Sequence, residues 1–264
     1  IMENEAQIKG VKAVSTLTGA ITEYHGTLFI DCTGDGWLGY FAGAEYRYGR
    51  EARSAFGETL APEIADDITM SGCLMGDGLE NLTAFRAEKT DGPVPFTRPP
   101  WAREITTLVS PGRNFGSFDR GLWWMEHPGD INNIWEAEEA RDELIKVTFS
   151  YWDYIKNRSR VKEEAENYTL VTIPIMNAKR ESRRLVGDYI MTQQDCEAGR
   201  MFPDRITHTG WPMDIHHVEG IYSGAEGSFD FQTDVPIGSV PFRSLYSKTI
   251  NNLMMAGRCG SFSR

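Results

Sequence analysis

An α/β fold is the class this sequence predicts, and three observations predict it. Two apolar runs, Thr27-Leu28-Phe29-Ile30 and Asn252-Leu253-Met254-Met255, each pass straight into a glycine-bearing turn. That is the pattern of a strand ending in a tight turn. Residues 134–157 carry apolar side chains at spacings of three and four, the mark of an amphipathic helix.

The elements follow in chain order. Residues 7–30 read as β-hairpin material, with Ile8, Val11, Val14 and Leu17 before a Thr18-Gly19 turn and Ile21, Tyr24 and 28–30 after it. The turn Asp31-Cys32-Thr33-Gly34-Asp35-Gly36 comes next. Its glycines allow positive φ and let backbone approach a ligand. Thr33 and the amides around it can hydrogen-bond a ribose or phosphate. Residues 36–43 suit a short helix ended by Gly43, whose N-terminus favours anions. Residues 57–121 are rich in Gly and Pro and read as loops.

The long helix has an apolar stripe through Ala137, Ala140, Leu144, Val147, Tyr151 and Ile155. Asn133 is the expected N-cap, with Glu136 three residues on as in a capping box. Trp135 and Trp152 are expected in the core. Trp123 and Trp124 cannot both point inward if extended, so one would line a pocket. Strands are expected at 169–175 and 185–191. Thr192-Gln193-Gln194-Asp195 is a capping box opening a short helix that Gly199 can end.

Composition narrows the function classes. The chain has 264 residues, a net charge of −11, 41% hydrophobic and 25% charged residues. That charge argues against phosphate-backbone binding and against an anionic membrane surface. No apolar run reaches membrane-spanning length. The four cysteines, Cys32, Cys73, Cys196 and Cys259, form no C-x-x-C, so no zinc or iron–sulfur framework is expected from them.

Two constellations can carry chemistry. Arg180, Glu181, Arg183 and Arg184 form the densest charge cluster. On a strand, alternation would put Arg180 and Arg184 on one face and pair Glu181 with Arg183 on the other. Guanidinium forks bind carboxylate or phosphate bidentately, although a surface ion-pair network has the same composition. In Trp211-Pro212-Met213-Asp214-Ile215-His216-His217, Asp214 and His216 would point to the same side of an extended segment. The carboxylate can orient the imidazole for proton transfer, or the pair can be a solvated loop. The histidine and aspartate spacing here matches no standard metal-ligand motif. At the second glycine turn, Gly257 would allow close approach and Arg258 could meet a phosphate or developing negative charge.

Several segments together resemble one family. FIDCTGDGWLGYFAGAEY at 29–46 and NLMMAGRCGS at 252–261 are similar to FAD-dependent oxidoreductases of the glutathione-reductase-like superfamily. KRESRRLVGDYIMTQQD at 179–195, FPD at 202–204, GWPMDIH at 210–216, WW at 123–124 and YWDYIKN at 151–157 are similar to a bacterial group within it, some members of which carry the label xanthan lyase. The resemblance implies an incomplete, Rossmann-like FAD-binding domain at 1–48 and 236–264, with an inserted α+β substrate cap at 49–235. No G-x-G-x-x-G follows a strand here. The expectation is therefore an internal fragment of a larger enzyme that binds FAD poorly by itself.

The resemblance also implies roles. Thr33, Gly34, Asp35, Gly36, Gly257 and Arg258 would contact FAD. Arg180, Arg183 and Arg184 would bind or polarise substrate, and Asp214 and His216 would handle the proton coupled to hydride transfer. The substrate would be a small or carbohydrate-like molecule, without nucleic acid or membrane as partner and with self-association left open. Two other classes remain: a lyase acting on an acidic glycan and a non-catalytic carbohydrate-binding module. The compartment is not readable from this sequence.

Overall fold

The structure, a computed structural model, describes residues 1–70, 72–75, 85–104, 124–224 and 229–264. Trp123 and much of the loop-rich stretch expected at 57–121 lie outside the described residues. The chain forms two compact units. One contains Ile1–Asp67, Glu181–Met213 and Thr233–Arg264; the other contains Ile68–Arg180 and Asp214–Gln232. The first unit thus takes residues 49–67 and 181–213, which the sequence reading assigned to the inserted part.

In the first unit, Gly10–Val14 pairs antiparallel with Ile21–His25, from Gly10 opposite His25 to Val14 opposite Ile21. The amide of Gly19 donates to the Ser15 carbonyl at 2.8 Å, which closes the expected turn. The hairpin's apolar side chains Val14, Ile21 and Tyr24 are exposed rather than in the core. The two runs that define the fold class, Phe29–Asp31 and Leu253–Met255, lie side by side and parallel. Leu253 and Met255 are buried with Ile8, Ala42, Ala44, Leu185, Ile250 and Cys259. The short helix Trp37–Ala42 follows the first strand and ends at Gly43 in the left-handed region, as expected.

The box at 192–195 forms as read. Thr192 caps the helix Gln193–Glu197, with the Asp195 carboxylate returning to the Thr192 amide. The strand expected at 185–191 is shorter, Arg184–Leu185 paired antiparallel with Tyr46–Arg47.

The second unit is built on the helix Ala137–Asn157. Ala140, Leu144, Val147, Tyr151 and Ile155 lie on its buried face. Trp152 is buried beside them and packs edge-on to Phe85. Phe85, Ala87, Trp124, Met125, Ala165 and Ile221 complete this core. Trp135 precedes the helix and is exposed, which corrects its expected place.

The capping expected of Asn133 is done by Asn132, on the turn that precedes the helix, and the helix's own N-cap is Glu136, which makes no side-chain cap bond. The Asn132 side chain accepts from the amides of Ile134 and Trp135 at 3.0 and 3.1 Å, and Glu136 accepts from the Asn132 amide at 2.6 Å. Asn133 turns inward and donates to the Met70 carbonyl instead. At the other end, the buried Lys156 ammonium donates to the carbonyls of Ala165, Glu166 and Tyr168 at 2.7, 2.7 and 2.8 Å. It thereby ties the following loop to the helix. Arg86–Lys89 pairs antiparallel with Tyr168–Thr172, near the strand expected at 169–175. No described helix is long and apolar enough to cross a membrane.

Candidate functional site

In the first unit, both parallel strands run into their glycine turns at the same edge, the carboxyl end of the pair. Asp31 organises that edge. It is buried; its Oδ1 accepts from the Thr33 amide at 3.0 Å and the Thr33 hydroxyl at 2.7 Å, and its Oδ2 accepts from the Gly39 amide at 2.9 Å. Its backbone carbonyl accepts from Ala256 at 3.0 Å and from the Cys259 thiol at 3.4 Å, which joins the two turns. The sequence reading quoted Asp31 but gave it no role. An acid closing an apolar strand just before Thr-x-Asp-Gly was the available signal.

This arrangement gives several expected cofactor residues an internal task. The Thr33 hydroxyl spends its proton on Asp31 and accepts from the Trp37 amide at 2.9 Å, so it has none to donate to a ribose or phosphate. The Trp37 and Gly39 amides at the start of the six-residue helix are likewise engaged within the turn. Asp35 is buried and accepts from the Ser182 hydroxyl at 2.7 Å. Gly36, also buried, packs against Leu185.

Gly34, Gly257 and Arg258 remain at the surface of the turns. Gly34 and Gly257 have φ of 80° and 71°. A Cβ on Gly34 would lie 2.6 Å from Arg258 Nη2, so the missing side chain is what admits the guanidinium. Around Gly257 there is open space.

The arginine cluster does not act as one group. Arg180 belongs to the second unit; Arg183 and Arg184 belong to the first. Arg184 is buried and donates to Glu51 Oε1 at 2.7 Å, the Gly49 carbonyl at 2.9 Å and the Phe262 carbonyl at 3.1 Å. Arg183 is equally buried, yet among the described residues none of its guanidinium nitrogens has a hydrogen-bond partner. Its guanidinium lies 4.3 and 4.1 Å from the ring centres of Trp37 and Tyr40. Burial pushes Arg183 below its ordinary pKa, and the nearby Tyr46 and Asp35 oppose that. Neither side chain is open to a substrate in this arrangement.

The second unit contains the other constellation. Met213–His216 is a strand. As the alternation predicts, Asp214 and His216 share a side, with His216 Nε2 2.8 Å from Asp214 Oδ2. His216 Nδ1 faces Glu126 Oε2, and Arg180 donates through Nε and Nη2 to Glu126 Oε1 at 3.0 and 2.7 Å. Glu126 is the residue sequence reasoning missed. Its signal was a lone acid after Trp123-Trp124-Met125, where a buried charge needs a partner.

Gly220 fixes Glu126 from behind. The amide of Ile221 donates to the Glu126 carbonyl at 2.9 Å, and a Cβ on Gly220 would sit 2.4 Å from that oxygen. Only glycine permits this approach at its φ of 53°.

Cys73, Cys196 and Cys259 are not poised as nucleophiles. Burial and Glu126 push the Cys73 thiol up to about 12, and burial and Asp31 push Cys259 up to about 11. Burial and Asp195 raise Cys196 as well, while Cys32 is exposed. Thiolates are the reactive species. The native protein is therefore expected to take up one equivalent of an aromatic disulfide reagent at neutral pH, at Cys32, and the other three only on unfolding. Thiol titration of the wild type and of Cys32→Ser checks this. Among the described residues no group of three His, Cys, Asp or Glu is placed to hold a metal ion.

The family model described as FAD dependent oxidoreductase matches residues 1–264. The chain belongs to this family. No curated protein and no solved structure matches it. The family is one of oxidoreductases, its cofactor is FAD, and its fold is of the Rossmann-like α/β class, here with mixed helices and small sheets.

The first unit fits that cofactor. In open α/β sheets, ligands bind outside the carboxyl ends of the strands. Here those ends bear two adjoining turns with three left-handed glycines, Gly34, Gly36 and Gly257, with open space at Gly257 and an arginine across Gly34. Gly34, Gly257 and Arg258 lie where they could hold such a cofactor, and Asp31 and Thr33 keep the first turn in shape.

Proposed function

We propose that the protein passes a hydride between a small or carbohydrate-like substrate and FAD, with the coupled proton handled by the Asp214–His216 pair. The parallel strand pair with two glycine turns at one edge is the observation that carries this reading. FAD, when bound, supplies the two-electron chemistry that amino-acid side chains lack. The chain's own residues bind, orient and move the proton. Gly34 and Gly257 let backbone come close to the cofactor, and Arg258 offers a cation to its phosphates. Arg180, Asp214 and His216 belong to the second unit, where a guanidinium beside two carboxylates and an imidazole favours polar, hydroxyl-bearing substrates.

The first test is spectroscopic. The purified protein is incubated with FAD and desalted, and its visible spectrum and the flavin released on denaturation are recorded. A flavin band near one equivalent is expected, bleached anaerobically by a turned-over substrate. Asp214→Asn should slow that bleaching about 100-fold at unchanged flavin content, in the range of a lost acid–base group. A protein that stays colourless in excess FAD, or an Asp214→Asn variant bleaching at the wild-type rate, overturns the reading.

A further inference from the structure

We propose that a cavity beside the long helix of the second unit binds a small organic cation bearing primary ammonium groups. The cavity measures about 670 Å³. Glu139, Asp142, Glu143 and Lys146 line it from the helix, at the spacings of three and four that share one face. His127, Asp130 and Tyr222 line it from other segments of the same unit, as do Arg103 and Glu104. Arg180, Asp214 and His216 are not among the lining residues.

The walls are held in place by bonds of their own. The His127 amide donates to the Gly72 carbonyl at 3.2 Å, and the Gly129 amide donates to the Val218 carbonyl at 2.7 Å. A Cβ on Gly220 would lie 2.9 Å from both the His127 carbonyl carbon and the Pro128 nitrogen, so this segment is braced from a third side. The Tyr222 hydroxyl donates to Glu143 Oε1 at 2.7 Å and ties its wall to the helix. Burial and Glu143 push the Tyr222 phenol well above its ordinary range, so it stays a neutral donor. A site built this way spends little on ordering its own side chains when a guest enters.

Charge sets the sign of the guest. Glu143 accepts from Arg103 at both oxygens and has Lys146 at 3.5 Å. Glu104 pairs with Arg98 at 2.9 Å and Arg158 at 3.6 Å. Asp142 accepts from Arg141 at 3.0 and 2.7 Å, and Arg141 also bonds Glu138. Asp130 and Glu139 line the same cavity and have no basic partner among the described residues. A complementary guest is therefore cationic. Because no group among the described residues is placed to hold a metal ion, the guest must bring its own N–H donors.

His127 is the independent sign that something polar belongs there. It is 8% exposed, and its Nδ1 lies 2.9 Å from the Pro128 carbonyl oxygen. A carbonyl only accepts, so Nδ1 is the donor, and the neutral ring then offers Nε2 as an acceptor. No hydrogen bond among the described residues engages Nε2, although the residue lines the cavity. Buried polar groups are normally bonded. An ammonium group in the cavity would donate to Nε2 while its charge meets Asp130 and Glu139.

The test needs no cofactor. Putrescine, a linear diamine, is titrated into the protein by calorimetry at fixed ionic strength, and one saturable site is expected. Asp130→Asn with Glu139→Gln should weaken it about tenfold, as two exposed charge contacts are lost. Glu163→Gln with Glu164→Gln removes the same charge at exposed positions of the same unit that do not line the cavity, and should leave the affinity unchanged. Tetramethylammonium, which has no N–H to donate, should bind about tenfold more weakly than putrescine. In the 15N-labelled protein, with His127 assigned by its loss in His127→Gln, putrescine should move the His127 Nε2 signal and leave the other four histidines in place. Uptake that does not saturate, equal losses in the two double variants, tetramethylammonium binding as well as putrescine, or a His127 ring unmoved at saturation each overturns the inference, since each means attraction to a general acidic surface only.

Discussion

Replacing Arg184 with methionine is expected to cost about 3–5 kcal/mol of stability, while the same change at the adjacent Arg183 should stay within about 1 kcal/mol. Both guanidinium groups are buried to the same degree. They differ in what they bond. Arg184 donates to the Glu51 carboxylate and to two carbonyls, and Glu51 also accepts from the Arg264 amide at 3.1 Å. The pair therefore joins three chain segments of the first unit. Removing the arginine leaves Glu51 as a buried carboxylate without its main counter-charge, the costly way to break a buried ion pair.

Arg183 offers no such bond to lose. Its stabilisation is the attraction of the guanidinium to the Trp37 and Tyr40 rings, set against the cost of taking a charge out of water. Methionine fills similar volume and can pack against the same rings. Urea titration of the two variants checks the contrast. Equal losses would mean that burial alone, not bonding, sets the worth of these arginines. Adding Glu51→Leu to Arg184→Met should recover part of the loss, since both ends of the pair are then apolar.

These neighbours also show where sequence reading ends. Local features were legible because their physics is local. The Thr192–Asp195 box, the Gly43 cap and the apolar stripe from Ala140 to Ile155 each depend on residues within a few turns of one another. Asp214 and His216 were paired correctly for the same reason, two residues apart on a strand. Glu126 reaches His216 across 90 residues of chain, and nothing in the intervening sequence encodes that meeting. Arg183 and Arg184 look equivalent as letters, yet the strand ends beside them and their surroundings come from distant segments. Trp135 was placed by extending a helical period two residues beyond the helix start, where the period no longer applies. The two compact units interleave along the chain without a change of composition, so no local signal marks where one gives way to the other.

Asp31→Ala is the companion prediction, because it separates the shape of the cofactor turn from the charges that would bind there. The wild-type carboxylate satisfies three donors: the Thr33 amide, the Thr33 hydroxyl and the Gly39 amide. Alanine leaves all three without that acceptor, the Gly39 amide in a buried place and the two Thr33 donors partly exposed. At about 1–3 kcal/mol for each unsatisfied group, less what the exposed Thr33 recovers from water, the expected loss is about 4 kcal/mol. Asp31→Asn should cost about half as much, since its remaining carbonyl can serve Thr33 while its amide faces the Gly39 N–H. Urea denaturation in the absence of FAD measures both. FAD titration below the unfolding transition should show affinity falling at least tenfold in Asp31→Ala, because Gly34 is then no longer held beneath Arg258. Arg258→Ala should weaken FAD similarly at almost unchanged stability, since this side chain is exposed and forms no ion pair among the described residues. If Asp31→Ala lowers stability but leaves FAD affinity intact, the first glycine turn is scaffold only and the cofactor is held elsewhere. If Arg258→Ala alone abolishes binding, the charge rather than the shape of the turn is the main determinant.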